Sequence, residues 1–117
     1  MSNPSRQKGT SYENKVLARL KRVFGPGVSR SAAGTESNDF HGVPFPVEAK
    51  KRKTLAIPAW VRRIRRVAPT REWIIFVSDG DNRRQNSFGE IAVVDARFMQ
   101  DLLELYNRHW NWDGETE

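Results

Sequence analysis

Apolar residues recur at three- and four-residue steps near the start of the chain. Tyr12, Val16, Leu17, Leu20, Val23 and Phe24 form one stripe, which predicts an amphipathic helix over about residues 11–24. Thr10 stands where a cap belongs, and Gly25-Pro26-Gly27 stops the helix. Residues 1–9 are polar and read as a flexible lead. Residues 28–33 read as a short strand and 34–38 as a loop. Residues 39–43 and 45–50 read as two strands around a turn at Gly42-Val43-Pro44. Pro44 and Pro46 lack an N–H, so regular pairing is expected only after Pro46.

A second helix is predicted over residues 58–68, with Pro58 in the first position. Trp60, Val61, Ile64, Val67 and Ala68 make its apolar side, and Arg62, Arg63, Arg65 and Arg66 cover the other. Residues 72–78 contain Trp-Ile-Ile-Phe-Val, a continuous apolar run that suits a strand buried on both faces. A polar loop follows at 79–89, then a strand at 90–94. Asp95 is placed to cap a last helix over 96–108, with Phe98, Met99, Leu102, Leu103 and Tyr106 inward. Residues 109–117 form a tail without periodicity. The order predicts one α/β domain over residues 10–108, with a central sheet covered on both faces by helices.

Composition narrows the class. With 117 residues the chain supports one core of modest size. Four Trp and six Phe argue against disorder. No apolar stretch approaches the roughly 18–20 residues of a membrane span, so no membrane partner is expected. The N-terminus lacks an apolar signal core, and no Cys is present for a disulfide scaffold or a thiolate metal site. Both features suit a cytoplasmic protein.

The net charge of +6 is unevenly placed. Residues 50–71 hold nine basic side chains and no acid, whereas the rest holds 11 basic and 14 acidic residues. Such a block is the footprint of a polyanion partner, DNA being the first candidate. Its alternative is a solvated basic face. A membrane surface suits it poorly, because no clean Leu/Phe face accompanies the charge.

The candidate chemistry precedes this block directly. Residues two apart on a strand share a face, so Glu48 and Lys50 project together while Val47 and Ala49 project oppositely. A hairpin across the turn at Gly42 brings Asp39 beside Glu48. Two neighbouring carboxylates repel unless a cation lies between them. Oxygen ligands without Cys favour Mg²⁺ or Mn²⁺ over zinc, with substrate phosphate completing the shell. Lys50 is then placed to orient a water or to support phosphoryl charge. The plain alternative is an ordinary cross-strand ion pair. Glu13 lies along the apolar stripe of the first helix, where a carboxylate needs a partner. It is either the distal half of a Thr10-Ser11-Tyr12-Glu13 capping box or a further acid at the metal. His41 shares the face of Asp39 but reads as a turn histidine. Trp110 and Trp112 suit base stacking or docking on their own domain, and Arg83 and Arg84 suit phosphate contact or solvent.

Gly9-x-x-Tyr12-Glu13, Arg30 with Gly34, Asp39 and Glu48-Ala49-Lys50 together resemble the PD-(D/E)xK nuclease superfamily. Within it the likeness is greatest to archaeal-type Holliday junction resolvases and related small phage endonucleases. It covers roughly residues 9–68, and the element order agrees more loosely to about residue 107. Where the family often has Ser-Gly before the acid, this chain has Ala33-Gly34.

The resemblance implies a restriction-endonuclease-like core with a four- or five-stranded mixed sheet, and a Mg²⁺-dependent endonuclease that Mn²⁺ also serves. It implies that Asp39, Glu48 and the Ala49 carbonyl hold the metal, that Lys50 is the catalytic lysine and that Glu13 is the helix-borne acid. It also implies a homodimer acting on four-way DNA junctions inside a cell, a phage-encoded enzyme acting in its host being one form. Arg30, Lys51, Arg52, Lys53, Arg62, Arg63 and Arg66 are the expected DNA-binding residues.

Overall fold

The computed structural model describes residues 4–31, 39–80 and 86–111, with side chains from residue 11 onward. It is an α/β arrangement: α1 (Pro4–Phe24), β1 (Ser29–Arg30), β2 (Phe40–His41), β3 (Val47–Lys51), α2 (Ile57–Val67), β4 (Ile74–Ser78), β5 (Glu90–Val94) and α3 (Ala96–Trp110). Helix α1 begins at Pro4, inside the segment expected to be a lead. Proline suits the first helical turn, and Arg6, Gln7 and Lys8 are good helix formers. Thr10 therefore lies inside the helix and is not its cap.

The central sheet is mixed and three-stranded, in the order β3-β4-β5. Strands β3 and β4 run parallel and β4 and β5 antiparallel. The parallel pair needs a crossover connection, which α2 supplies. Strands β1 and β2 form a separate antiparallel pair, with Arg30 opposite Phe40. The four- or five-stranded central sheet is thus not shown. Nor does β2 form a hairpin with β3. The prolines at 44 and 46 break the ladder that would join them, and β2 turns back on β1 instead. Residues 33 and 34, placed at a strand end and a loop, lie outside the described residues.

Two apolar layers sandwich the sheet. Tyr12, Val16 and Leu20 recur every four residues on α1 and are buried against Val28, Phe40 and Val47. On the opposite face, Trp60 and Ile64 of α2 pack with Trp73, Ile75 and Val77. Alternation along β3 therefore turns Val47, Ala49 and Lys51 toward α1, and Glu48 and Lys50 toward α2. Helix α2 ends at Val67 with Ala68 extended, as Pro69 requires of the residue before it.

Two apolar stripes are shorter than periodicity predicts. Val23 and Phe24 at the end of α1 are exposed. On α3, Phe98 is buried with its ring 4.9 Å from that of Phe45. Met99, Leu103 and Tyr106 are exposed, Tyr106 by 64%. A three-stranded sheet is too narrow to underlie the whole of a 15-residue helix. The start of α3 matches expectation, because Asp95 accepts hydrogen bonds from the N–H groups of Arg97 and Phe98.

Candidate functional site

Asp39 enters the site by an unexpected route. Its backbone carbonyl accepts from the Ser31 N–H at 2.8 Å, extending the β1–β2 pairing. Gly42 holds the following turn at φ +84°, and a Cβ there would stand 2.6 Å from the Gly27 carbonyl oxygen. Strand β3 is an edge of the sheet. Its even-numbered residues bond toward β4, since the Pro46 carbonyl accepts from Ile74 and the Arg52 N–H donates to Ser78. The N–H and carbonyl of Ala49 therefore face the open side. Asp39 Oδ2 accepts the Ala49 N–H there at 2.8 Å. The acid sits at the strand edge through this side-chain bond and not through a hairpin ladder.

Glu48 is only 5% exposed. Lys50 Nζ lies 3.5 Å from its Oε2 and 5.5 Å from the centre of the Trp60 ring, with the lysine side chain 10% exposed. No hydrogen bond reaches Glu48 Oε2. Burial pushes the Glu48 carboxyl above its ordinary value; Lys50 and Arg63 pull the other way, and the Asp39 charge adds to the rise. A carboxylate kept dry beside another acid is costly, and the Lys50 ammonium offsets that cost only in part, since the net shift of Glu48 is still upward.

Glu13 is held elsewhere. The Arg30 guanidinium meets its Oε2 at 2.9 and 3.1 Å and also donates to Asn14 at 3.1 Å. Since α1 begins well before Thr10, the capping-box account of Glu13 does not apply. Arg30, expected on DNA, is engaged by α1. Among the described residues no three His, Cys, Asp or Glu side chains group as a metal centre.

The basic block divides between the two faces. Arg62, Arg63 and Arg66 are exposed on α2, on the side of the sheet that bears Glu48 and Lys50. Lys51 points toward α1. Arg52 donates to the Lys51 carbonyl at 2.8 Å, and Lys53 is exposed. Arg83, Arg84 and Trp112 lie outside the described residues. His41 is exposed, and Trp110 is exposed beside His109. Compared with protein-family models, curated proteins and solved structures, the chain matches none of them. No helix among the described residues is long and apolar enough to cross a membrane.

The donor set fits the divalent ion that the resemblance implies. Asp39 sits on the Ala49 N–H at the open strand edge, and the adjoining residue Glu48 has a buried oxygen lacking any hydrogen bond. Mg²⁺ accepts one or two carboxylates and keeps its remaining positions for water and substrate phosphate. Asp39, Glu48 and the Ala49 carbonyl are the groups that would hold it.

Sequence reasoning missed Glu90. Arg19 grips it bidentately at 2.7 Å on each oxygen, and the Tyr12 hydroxyl donates to Oε2 at 2.8 Å. The guanidinium bonds lower its carboxyl to about 2, with burial opposing and Tyr12 assisting. Tyr12, buried beside this acid, is pushed upward. A folded value below the ordinary 4.5 means stability that is present above pH 4.5 and lost as pH falls toward 2. Glu90→Gln is expected to flatten that acid limb in urea titrations. It should also cost about 1–2 kcal/mol at neutral pH, a range kept low because Arg19 is well exposed. An unchanged acid limb would assign the pH dependence to other carboxylates.

Proposed function

We propose that the protein is a Mg²⁺-dependent endonuclease that hydrolyses phosphodiester bonds in DNA. The observation that carries the reading is the buried, undonated oxygen of Glu48, beside Asp39 and under the cations Lys50 and Arg63. Strand β3 and the Ala49 N–H hold the two acids at one sheet edge. Lys50, pinned between Glu48 and the Trp60 face, presents a fixed cation to developing phosphoryl charge. A bound divalent ion would supply neutralisation of the phosphoryl oxygens and an activated nucleophile at neutral pH. The exposed arginines of α2 lie along the same face and would bind backbone phosphates without reading bases.

The resemblance extends the proposal to branched DNA, cut by a homodimer to leave 5′-phosphate and 3′-hydroxyl ends. On this reading the three-stranded sheet is the centre of a restriction-endonuclease-like core. Linear duplex is the runner-up substrate. A non-catalytic DNA-binding module is favoured by one observation, the absence of a third acid grouped with Asp39 and Glu48 among the described residues. Labelled four-way junction, duplex and single strand, incubated with and without Mg²⁺ or Mn²⁺, separate the three. Paired symmetric cuts support junction resolution. Equal cutting of duplex removes the junction preference, and inactivity on every form supports the module.

A further inference from the structure

A polar concavity lies on the α1 face of the sheet, turned away from the acidic pair. Ser11, Tyr12 and Lys15 of α1, Lys51 ending β3, Ser78 and Gly80 at the end of β4, and Glu90 opening β5 line a cavity of about 190 Å³. It sits at the carboxyl ends of the two parallel strands, where open α/β sheets gather ligands.

Its charge is decided by what is already paired. Glu90 is the one acid in the lining, and Arg19 and Tyr12 engage both its oxygens. Among the described residues neither Lys15 nor Lys51 is in a salt bridge; the Lys15 charge acts on Glu90 from a distance, while both oxygens of that acid are already held by Arg19 and Tyr12. Ser78 Oγ accepts the Gly80 N–H at 3.0 Å, which leaves its own O–H to donate. The Ser11 hydroxyl adds a second donor.

Gly80 stands at φ +81°, and a Cβ on it would run into Lys51 Cε. Glycine here lets the lysine stem lie across the turn and into the cavity. The space is smaller than the roughly 300–1,000 Å³ typical of pockets for drug-sized ligands. A small anion of high charge density is the chemistry that two lysines and two hydroxyls satisfy.

We infer that this pocket binds one phosphoryl group, either free phosphate or a phosphate of a nucleic-acid strand. Lys15 and Lys51 would approach it from α1 and β3, with Ser11 and Ser78 donating. The inference stands apart from the nuclease reading and gives Lys51 a duty separate from that of the α2 arginines.

The test measures phosphate binding by calorimetry on the full chain, at constant ionic strength and with a chelator present. The absence of divalent ions keeps its outcome independent of cleavage. Inorganic phosphate should bind saturably to the wild type. Lys15→Gln and Lys51→Gln should each weaken it about tenfold. Arg108→Gln, outside the lining, should leave it unchanged. Gly80→Ala should weaken binding with Lys51 itself intact, which separates the pocket from a loss of net charge.

Displacement of phosphate by a 5′-phosphorylated oligonucleotide, but not by its 5′-hydroxyl twin, assigns the site to a strand end. Equal displacement by both assigns it to backbone phosphate, and displacement by neither assigns it to free phosphate. No saturable binding by the wild type, or equal affinity in the lysine variants, overturns the inference.

Discussion

Glu48→Gln is expected to abolish Mg²⁺-dependent cleavage and to raise the melting temperature in the same protein. Gln keeps the shape and one oxygen near Lys50 but removes the charge a divalent ion requires. Activity should fall on the order of 10³-fold, the scale on which preorganised charge at a phosphoryl centre acts. DNA binding should persist, because the α2 arginines are untouched. The stability change follows from the raised Glu48 carboxyl. A folded value above the unfolded one contributes stability below the unfolded value, and that contribution is lost as pH rises through the folded one. At neutral pH the ionised side chain is therefore a liability in the absence of metal. Lys50 attracts it, but burial together with Asp39 outweighs that attraction.

Neutralising Glu48 should thus stabilise by about 1 kcal/mol, or roughly 4–8 °C for a domain of this size. Added Mg²⁺ should raise the melting temperature of the wild type and leave Glu48→Gln unmoved, since only a species that binds the folded state shifts it. Asp39→Asn should lose cleavage similarly while its oxygen still accepts the Ala49 N–H. Retained cleavage, or a lower melting temperature in Glu48→Gln, would falsify the site.

Replacing Arg62, Arg63 and Arg66 together by Gln is expected to weaken DNA binding on the order of 100-fold at low salt. Each phosphate neutralised contributes about 0.9 to the slope of log affinity against log salt, so the slope should become shallower by about 2.7. The three side chains are exposed, so their removal leaves the Trp60–Ile64 layer intact. Arg63 has a further effect. Its charge helps keep Glu48 ionised, so its loss should raise the Glu48 carboxyl further and depress cleavage at saturating DNA. Binding titrations from low to physiological salt, paired with single-turnover cleavage, separate the two effects. An unchanged salt slope would move the contact surface off α2 and back toward Lys51 and the α1 face.

Much of the fold was legible because its signals are local. Val16 and Leu20, Trp60 and Ile64, and the run from Trp73 to Val77 each carry their period within one element, and all reach the core. The Asp95 cap needs only its own next three residues. The Glu48–Lys50 pair was legible because the two share a strand face by alternation alone. Where a stripe ends is not local. Met99, Leu103 and Tyr106 keep helical spacing, yet the neighbouring sheet is too narrow to cover them.

The sequence by itself determined the element types, the face shared by Glu48 and Lys50, and the concentration of positive charge after Lys50. Tertiary structure alone decided which partners those groups have. It set β2 against β1 and left the edge of β3 open for Asp39, because two prolines remove the donors a hairpin needs. It closed Arg30 onto Glu13, and it split Lys51 from the α2 arginines by one step of strand alternation. It gathered Tyr12, Arg19 and Glu90 across 78 residues of chain. Periodicity reports which way a side chain leaves its own backbone; what it meets there depends on how separate segments pack.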